Sequence, residues 1–155
     1  MICGAIGLNH AVGPVVFQNI GPGRGNGVTA QRYINQVLLP SVVPFFQQHR
    51  HFTLQLDNDR PHTARLTANF LQQHNIRVMP WPLLSPDLNP IEHFWDALQR
   101  QINRIQPRPT AAAELEQVIR QAWPYIGMAA ISRLIYSMPT RCQAVIDACR
   151  GHTRF

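Results

Sequence analysis

The sequence predicts an α/β fold, and two stretches in its first half carry most of that prediction: a β-hairpin at 1–20 and a strand–helix–strand segment at 51–79. Two apolar runs, at 1–8 and 14–20, flank a turn at 9–13 and predict a β-hairpin. Further along, an alternating run at 51–57 and a short apolar run at 76–79 enclose a segment with helical periodicity. This strand–helix–strand order predicts a βαβ unit with a right-handed crossover. The rest of the chain predicts helices that flank a mixed sheet.

Local signals mark the helix boundaries in the first half of the chain. Thr29 is a predicted N-cap, and Pro40 and Pro44 should kink or end the helix behind it. The next helix should begin at Arg60-Pro61, because proline suits the first helical position, and Asn75 should cap its end. The predicted buried positions of this helix are Leu66, Phe70 and Leu71.

The second half of the chain predicts four more helices. Asn89, Pro90 and Glu92 form an N-terminal signature of cap, proline and acidic residue. Thr110 should cap the following helix, and two further helices are predicted near 128–136 and 139–149. The predicted buried positions are Phe94, Trp95, Leu98, Ile102 and Ile105 in the first of these helices, and Leu115, Val118, Ile119 and Ala122 in the second.

Charge and cysteine content narrow the class of partner. The net charge is +6, and every one of the 14 basic residues is arginine. This balance suits a polyanion such as nucleic acid, but it fits a basic protein without that role equally well. The three cysteines form no CxxC pair, so no zinc ribbon or disulfide framework is indicated. The start has no signal-peptide pattern, and no apolar run reaches the roughly 20 residues of a membrane span, so no membrane partner is expected.

Two acidic residues stand at the ends of predicted elements. Asp57 ends the alternating run, and Glu92 lies in the first turn of a helix, with thirty-four residues between them. A stiff loop at 80–90, which contains four prolines, leads into the second acid. Two carboxylates that met in space would form a hard-oxygen site for a divalent cation.

Each of these residues also has an ordinary structural interpretation. Asp57 and Asp59 suit turns or helix caps, and Glu92 suits a capping box. Asp87 is most simply a turn former, and the histidines nearby fit an exposed surface. The combination of an acid at a strand end, an acid at a helix start and a rigid loop between them is what favours a site.

The motifs around both acids resemble those of one family. The stretch DNDRPHTA at 57–64 is similar to the second acidic motif of the Tc/mariner superfamily of DDE transposases. The stretches PWP at 80–82 and SPDLNPIEHFW at 85–95 are similar to its third, and the spacing of thirty-four is the Tc type. The start of the chain and the segments at 141–146 and 151–153 are also similar, so the resemblance covers essentially the whole chain.

The resemblance implies a ribonuclease-H-like fold and a nuclear enzyme of DNA transposition and integration. In this family, three acids hold two Mg²⁺ or Mn²⁺ ions for DNA cleavage and strand transfer. By resemblance, Asp57 is the second of these catalytic, metal-binding acids and Glu92 is the third. The implied partner is DNA, and a homo-oligomer is left open.

The family places its first acid and its helix-turn-helix region upstream of the segment that these 155 residues match. We therefore expect 1–155 to form a partial catalytic domain, with an incomplete sheet and no activity as it stands. Either the N-terminal hairpin re-pairs with the strand that ends at Asp57, or the domain is unstable alone. Asp59, where alanine is usual, could in principle lend a carboxylate, but it lies on the wrong side of Asp57 to replace an acid from the upstream strand. The alternative is a non-catalytic nucleic-acid-binding remnant.

Basic side chains beside the acid motifs are the candidate DNA contacts. They flank the acids in the sequence, although Arg65 and Arg104 fit solvated helix faces equally well. Trp81 and Trp95 are interpreted as core residues rather than as base-stacking groups. The candidate nucleic-acid-binding residues are Arg60, His62, Arg65, His93, Arg100 and Arg104.

Overall fold

The computed structural model describes residues 1–17, 27–83 and 85–148. The chain divides into two compact units. Unit 1 contains Met1–Cys3 and Val15–Leu84, and unit 2 contains Gly4–Pro14 and Ser85–Phe155. Asp57 therefore belongs to unit 1 and Glu92 to unit 2. None of the helices in the described ranges is long and apolar enough to cross a membrane.

The predicted hairpin is present, with β1 at Ile2–Gly7 and β2 at His10–Val16. A connection of two residues makes these strands antiparallel. The predicted turn at 9–13 and strand start at Pro14 are wrong, because Asn9 adopts a left-handed φ of 62° and closes the turn early. The second strand therefore runs through Pro14. The rest of the predicted strand, at 18–20, lies outside the described residues.

One continuous helical segment follows Thr29. Its parts are α1 at Ala30–Tyr33, a π-helical stretch at Ile34–Val42 and α2 at Val43–Gln48. The predicted cap is confirmed, since the Thr29 hydroxyl accepts a hydrogen bond from the Arg32 N–H at 3.2 Å. The helix ends at neither proline. Pro40 lies inside the π-helical stretch, and Pro44 lies in the first turn of α2, where its missing N–H costs little.

The helix predicted from Arg60 is two helices, α3 at Arg60–Thr63 and α4 at Arg65–Gln73. The break lies at Ala64, whose ψ of 138° is extended. As a result the predicted stripe is correct at Leu71 but wrong at Leu66, which is 48% exposed. Thr67 is fully buried instead, and its hydroxyl donates to the Pro61 carbonyl at 2.6 Å. This hydrogen bond satisfies the buried hydroxyl.

The predicted strands at 51–57 and 76–79 reduce to one parallel bridge between Leu54 and Val78. The Leu54 N–H donates to the Arg77 carbonyl, and the Met79 N–H donates to the Leu54 carbonyl, both at 2.8 Å. Within the described residues this single bridge is the whole of the pairing between the two segments. The predicted parallel relation is therefore confirmed, and the predicted strand lengths are wrong.

Asn75 ends α4 as predicted. It adopts a left-handed φ of 55°, and its N–H donates to the Gln72 carbonyl while the Ile76 N–H donates to the Leu71 carbonyl. This pair of hydrogen bonds is a Schellman motif. The buried hydrophobic residues in the described part of unit 1 are Phe17, Tyr33, Ile34, Val37, Leu38, Val42, Val43, Leu54, Leu71 and Ile76.

The hairpin strands do not re-pair with the segment that ends at Asp57. Across 1–17, 27–83 and 85–148, the one sheet contains β1 and β2 alone. The first of the two expected consequences of a partial sheet is therefore wrong, because Leu54 pairs with Val78 instead. The expected instability of the isolated domain stays a prediction.

Unit 2 contains four helices in its described part. They are α5 at Pro90–Asn103, α6 at Ala112–Ala122, α7 at Met128–Tyr136 and α8 at Met138–Asp147. The predicted face of α5 is confirmed at Phe94, Leu98 and Ile102, which are buried. Trp95 is half-buried, and Ile105, also half-buried, lies beyond the end of this helix. The end predicted for the last helix, at residue 149, lies outside the described residues.

The start of α6 differs from the prediction. Ala111, not Thr110, is the N-cap. The Glu114 carboxylate accepts a hydrogen bond from the Thr110 N–H at 2.8 Å and another from the Ala111 N–H at 3.2 Å. These hydrogen bonds lower the pKa of Glu114. Leu115 is 41% exposed, although it was predicted to be buried, whereas Ile119 and Ala122 are buried as predicted.

Candidate active site

Asp57 follows the bridged residue Leu54 at the end of an extended segment. Its side chain is 53% exposed. The Oδ1 atom accepts the Asp59 N–H at 3.0 Å and lies 2.5 Å from Nδ1 of His62. The carboxylate thus forms a local turn, as its ordinary interpretation predicted, and still presents about half of its surface to solvent. A carboxylate that is both held and exposed is suited to bind a cation.

His62 is held between this carboxylate and a buried tyrosine. Its side chain is 18% exposed, and its ring centroid lies 4.5 Å from that of Tyr33. Burial raises the pKa of the Tyr33 hydroxyl, and Cys3 and Asp57 act in the same direction. Tyr33 therefore presents a neutral ring to His62. Sequence reasoning gave no sign that Tyr33 lies beside the candidate site.

Asn58 and Asp59 fix the turn that follows Asp57. The Asn58 side-chain amide donates to the carbonyl of Pro82 at 3.1 Å and to that of Trp81 at 3.5 Å. Asp59 caps α3, since its carboxylate accepts the Arg60 N–H at 2.9 Å. Its side chain therefore has a structural role, as the capping interpretation predicted. Asn58 was missed by sequence reasoning, although it lies inside the recognised motif.

Glu92 lies in the first turn of α5 and is exposed. The predicted cap is confirmed, because the Asn89 side-chain oxygen accepts the Ile91 N–H at 3.4 Å. The Glu92 N–H donates to the Asn89 carbonyl at 3.2 Å, and Pro90 is buried at the first helical position. A short 3₁₀ turn at Pro86–Leu88 precedes this cap. The second candidate acid therefore also stands on a hydrogen-bonded turn.

The candidate DNA contacts are distributed over both units. Arg60 and Arg65 are exposed in unit 1, and Arg100 and Arg104 are exposed in unit 2. His93 is half-buried, and within the described part of the chain its Nδ1 atom is buried without a hydrogen-bond partner.

The two tryptophans interpreted as core residues differ in how far the structure supports that interpretation. Trp95 is half-buried and packs its ring against Phe94 and Trp123, with centroids 5.8 and 5.6 Å apart, which supports a structural role. Trp81 is half-buried.

Each of the two acids, taken by itself, offers carboxylate oxygens, the donor type that a hard divalent cation prefers. The number of donors does not match the three acids that the family resemblance implies. Among residues 1–17, 27–83 and 85–148, no group of three histidine, cysteine, aspartate or glutamate side chains is placed to hold a metal ion.

The fold is shown by solved structures that the chain resembles. The Mos1 transposase catalytic domain, solved with raltegravir and Mg, has a TM-score of 0.73 at 21% identity and covers 93% of this chain and 76% of that one. The same domain solved with raltegravir and Mn gives 0.73 at 19% identity over 99% and 83%. A Mos1 paired-end complex with the left transposon end gives 0.67 at 21% identity over 89% and 42%. The chain therefore has the ribonuclease-H-like fold of transposase catalytic domains, as the resemblance implied.

Sequence comparison defines the family. Residues 3–115 match the family described as DDE superfamily endonuclease. The Tc1 transposase of Caenorhabditis elegans is 46% identical over 106 residues, which are 68% of this chain and 38% of that protein. The Tcb1 transposase of Caenorhabditis briggsae is 35% identical over 130 residues, or 82% and 47%. The chain belongs to the DDE superfamily endonucleases, and within them to the Tc/mariner transposases. It spans less than half the length of these curated relatives.

Proposed function

We propose that this chain is the catalytic region of a Tc-type transposase, in which Asp57 and Glu92 hold divalent metal for DNA cleavage and strand transfer. The observation that carries the proposal is that both acidic motifs lie inside the family match at 3–115. Each acid also has an exposed side chain on a hydrogen-bonded turn, which is held at Asp57 by its own carboxylate and before Glu92 by the cap at Asn89. Ligands held in this way need little reorganisation when a cation binds.

The chain's own groups have distinct tasks in this proposal. Asp57 and Glu92 supply carboxylate oxygens, which Mg²⁺ and Mn²⁺ prefer. When bound, such ions stabilise the attacking and leaving oxygens of a phosphoryl displacement. His62 and Asn58 hold the turn at Asp57, and the exposed side chains of Arg60 and Arg100 contact DNA phosphates. His93 is a further candidate contact. The implied compartment is the nucleus, and a homo-oligomer stays open.

The 155 residues by themselves are proposed to be inactive. The family's reaction uses three acids, and only Asp57 and Glu92 match them in this sequence. Two carboxylates leave a site for two ions short of ligands, so cleavage requires a third carboxylate from another segment or another chain. The expected lack of cleavage and the proposed metal binding can be tested separately, because an inactive chain can still bind metal.

A Mn²⁺ titration of the isolated chain tests the metal site. Paramagnetic broadening of amide NMR signals is expected at 57–59 and 90–93 before other acidic positions, and Mg²⁺ should reverse it by competition. Asp57→Asn should remove the broadening at 57–59, whereas Asp59→Asn should not, because asparagine caps helices as well as aspartate does. Broadening centred on Glu114 and Glu116, or unchanged broadening in Asp57→Asn, would refute the proposed site.

The second candidate function is a non-catalytic nucleic-acid-binding remnant, which the excess of arginine favours. Duplex DNA binding should then weaken steeply between about 50 and 200 mM salt, without sequence preference. Arg60→Gln and Arg100→Gln should each reduce the slope of log affinity against log salt by about 1, measured by fluorescence anisotropy. Binding without salt dependence would exclude the remnant. Salt-dependent binding without Mn²⁺ broadening at the two acids would favour it.

A further inference from the structure

Arg141 is buried in unit 2, with 1% of its surface exposed. Within the described ranges it is the one charged residue in the buried class. It lies on α8, beyond the family match that ends at residue 115. A buried charge needs partners, because removing it from water is costly.

The partners of Arg141 connect two segments that are distant in sequence. Its Nη1 atom donates to the Asp87 carbonyl at 2.9 Å, and its Nε atom donates to the Ser137 hydroxyl at 2.8 Å. Ser137 in turn donates to the Leu134 carbonyl at 2.7 Å. The guanidinium therefore ties the junction of α7 and α8 to the 3₁₀ turn at Pro86–Leu88.

This turn leads directly into the candidate metal ligand Glu92. The Asn89 N–H donates to the Pro86 carbonyl at 2.9 Å, and the Glu92 N–H donates to the Asn89 carbonyl at 3.2 Å. Prolines at 86 and 90 restrict the backbone between these bonds. A displacement of the Asp87 carbonyl is therefore transmitted to the first turn of α5.

A gain in stability does not by itself explain why a charged guanidinium is buried at Arg141. Well-packed apolar side chains of similar volume often stabilise a core as much as a buried charged group does. A guanidinium adds direction, because its planar donors fix the positions of the oxygens that they contact. Burial lowers the pKa of Arg141 and the charge of Asp87 opposes that effect, but an arginine keeps its proton in proteins.

We infer that Arg141 is a positioning residue that holds the turn at Pro86–Leu88 and, through it, the carboxylate of Glu92. This inference rests on the metal-binding role proposed for Glu92. According to this inference, helix α8 helps to position Glu92, the third acid, although the family match ends before that helix.

Hydrogen exchange of the whole chain tests the link to the turn. Arg141→Lys should speed exchange of the Leu88, Asn89 and Glu92 amides about ten- to a hundredfold, the range expected for losing a charge-assisted hydrogen bond. Ser137→Ala should also speed exchange of these amides, but by a smaller factor. It provides a second test if an Arg141 variant fails to fold. The control, Arg133→Lys, makes the same substitution on the exposed face of α7 and should leave these amides unchanged. Unchanged exchange in both test variants would overturn the inference.

Mn²⁺ broadening of amide signals tests whether Arg141 positions Glu92 for metal binding or only packs against the turn. Arg141→Lys should raise about tenfold the Mn²⁺ concentration that is required to broaden the amide signals at 90–93. The concentration required at 57–59 should stay unchanged. Faster exchange with unaltered Mn²⁺ broadening would overturn the positioning role. If Glu92→Gln itself leaves the broadening unaltered, the proposed function fails instead, and the exchange data still report whether Arg141 holds the turn.

Discussion

Asp57→Asn is expected to lower divalent-metal-dependent DNA cleavage by roughly a thousandfold or more in a chain that carries a third carboxylate. Asparagine is nearly isosteric, so its side-chain oxygen can still accept the Asp59 N–H and keep the turn. The amide oxygen lacks the negative charge that holds a divalent cation. A metal ion contributes several kcal/mol to a transition state, and each 1.36 kcal/mol is a factor of ten in rate.

Glu92→Gln should have an effect of the same size for the same reason. The two substitutions combined should be little worse than either alone, because groups that act as one unit are not additive. The matched controls are Asp59→Asn and Asp96→Asn, which remove a charge from an exposed position close to each acid. Both controls should retain cleavage within a few-fold of the unaltered chain.

The measurement uses the chain extended upstream of Met1 by in-frame coding sequence that supplies an acidic strand. Nicking of supercoiled plasmid is followed in Mg²⁺ and in Mn²⁺. The 155-residue chain should show no cleavage above the Asp57→Asn, Glu92→Gln double variant. Cleavage that survives in the extended double variant would place the active site elsewhere. Cleavage by the 155 residues alone would contradict their proposed inactivity.

The parts of the site that the sequence predicted are those set by local chemistry. Asn89 and Pro90 define a helix start within three residues, and the cap at Asn89 is present. Asn75 likewise adopts the left-handed conformation that a helix end requires. In these cases the residue type and its immediate neighbours determine the conformation, so no knowledge of distant contacts was needed.

The parts that were missed depend on contacts between distant residues. Asn58 bonds to carbonyls more than twenty positions away, and Arg141 bonds to Asp87 across 54 positions. No periodicity or spacing in the sequence indicates such pairs. The error at Leu66 has the same origin, because the break at Ala64 turns Thr67 toward the core, where it bonds to Pro61. Tertiary contacts override local propensity at these positions.

Phe94→Ala is expected to lower the free energy of unfolding by about 3–5 kcal/mol. Phe94 is fully buried on α5, and its ring lies 4.6 Å from that of Trp123 between centroids. Trp123 has little room to move, because a Cβ atom at Gly4 would stand only 2.3 Å from its ring. A cavity whose walls cannot relax gives the upper part of this range. Since small domains have about 5–15 kcal/mol in total, the variant retains little stability.

Urea unfolding followed by tryptophan fluorescence measures this loss, since Trp95 and Trp123 both pack against Phe94. The matched control is Leu115→Ala, which shortens a side chain of α6 that is 41% exposed and should change stability by about 1 kcal/mol or less. Phe94→Leu should fall between the two, because it fills part of the cavity. A loss for Phe94→Ala no larger than that of the control would mean that α5 does not depend on this aromatic contact.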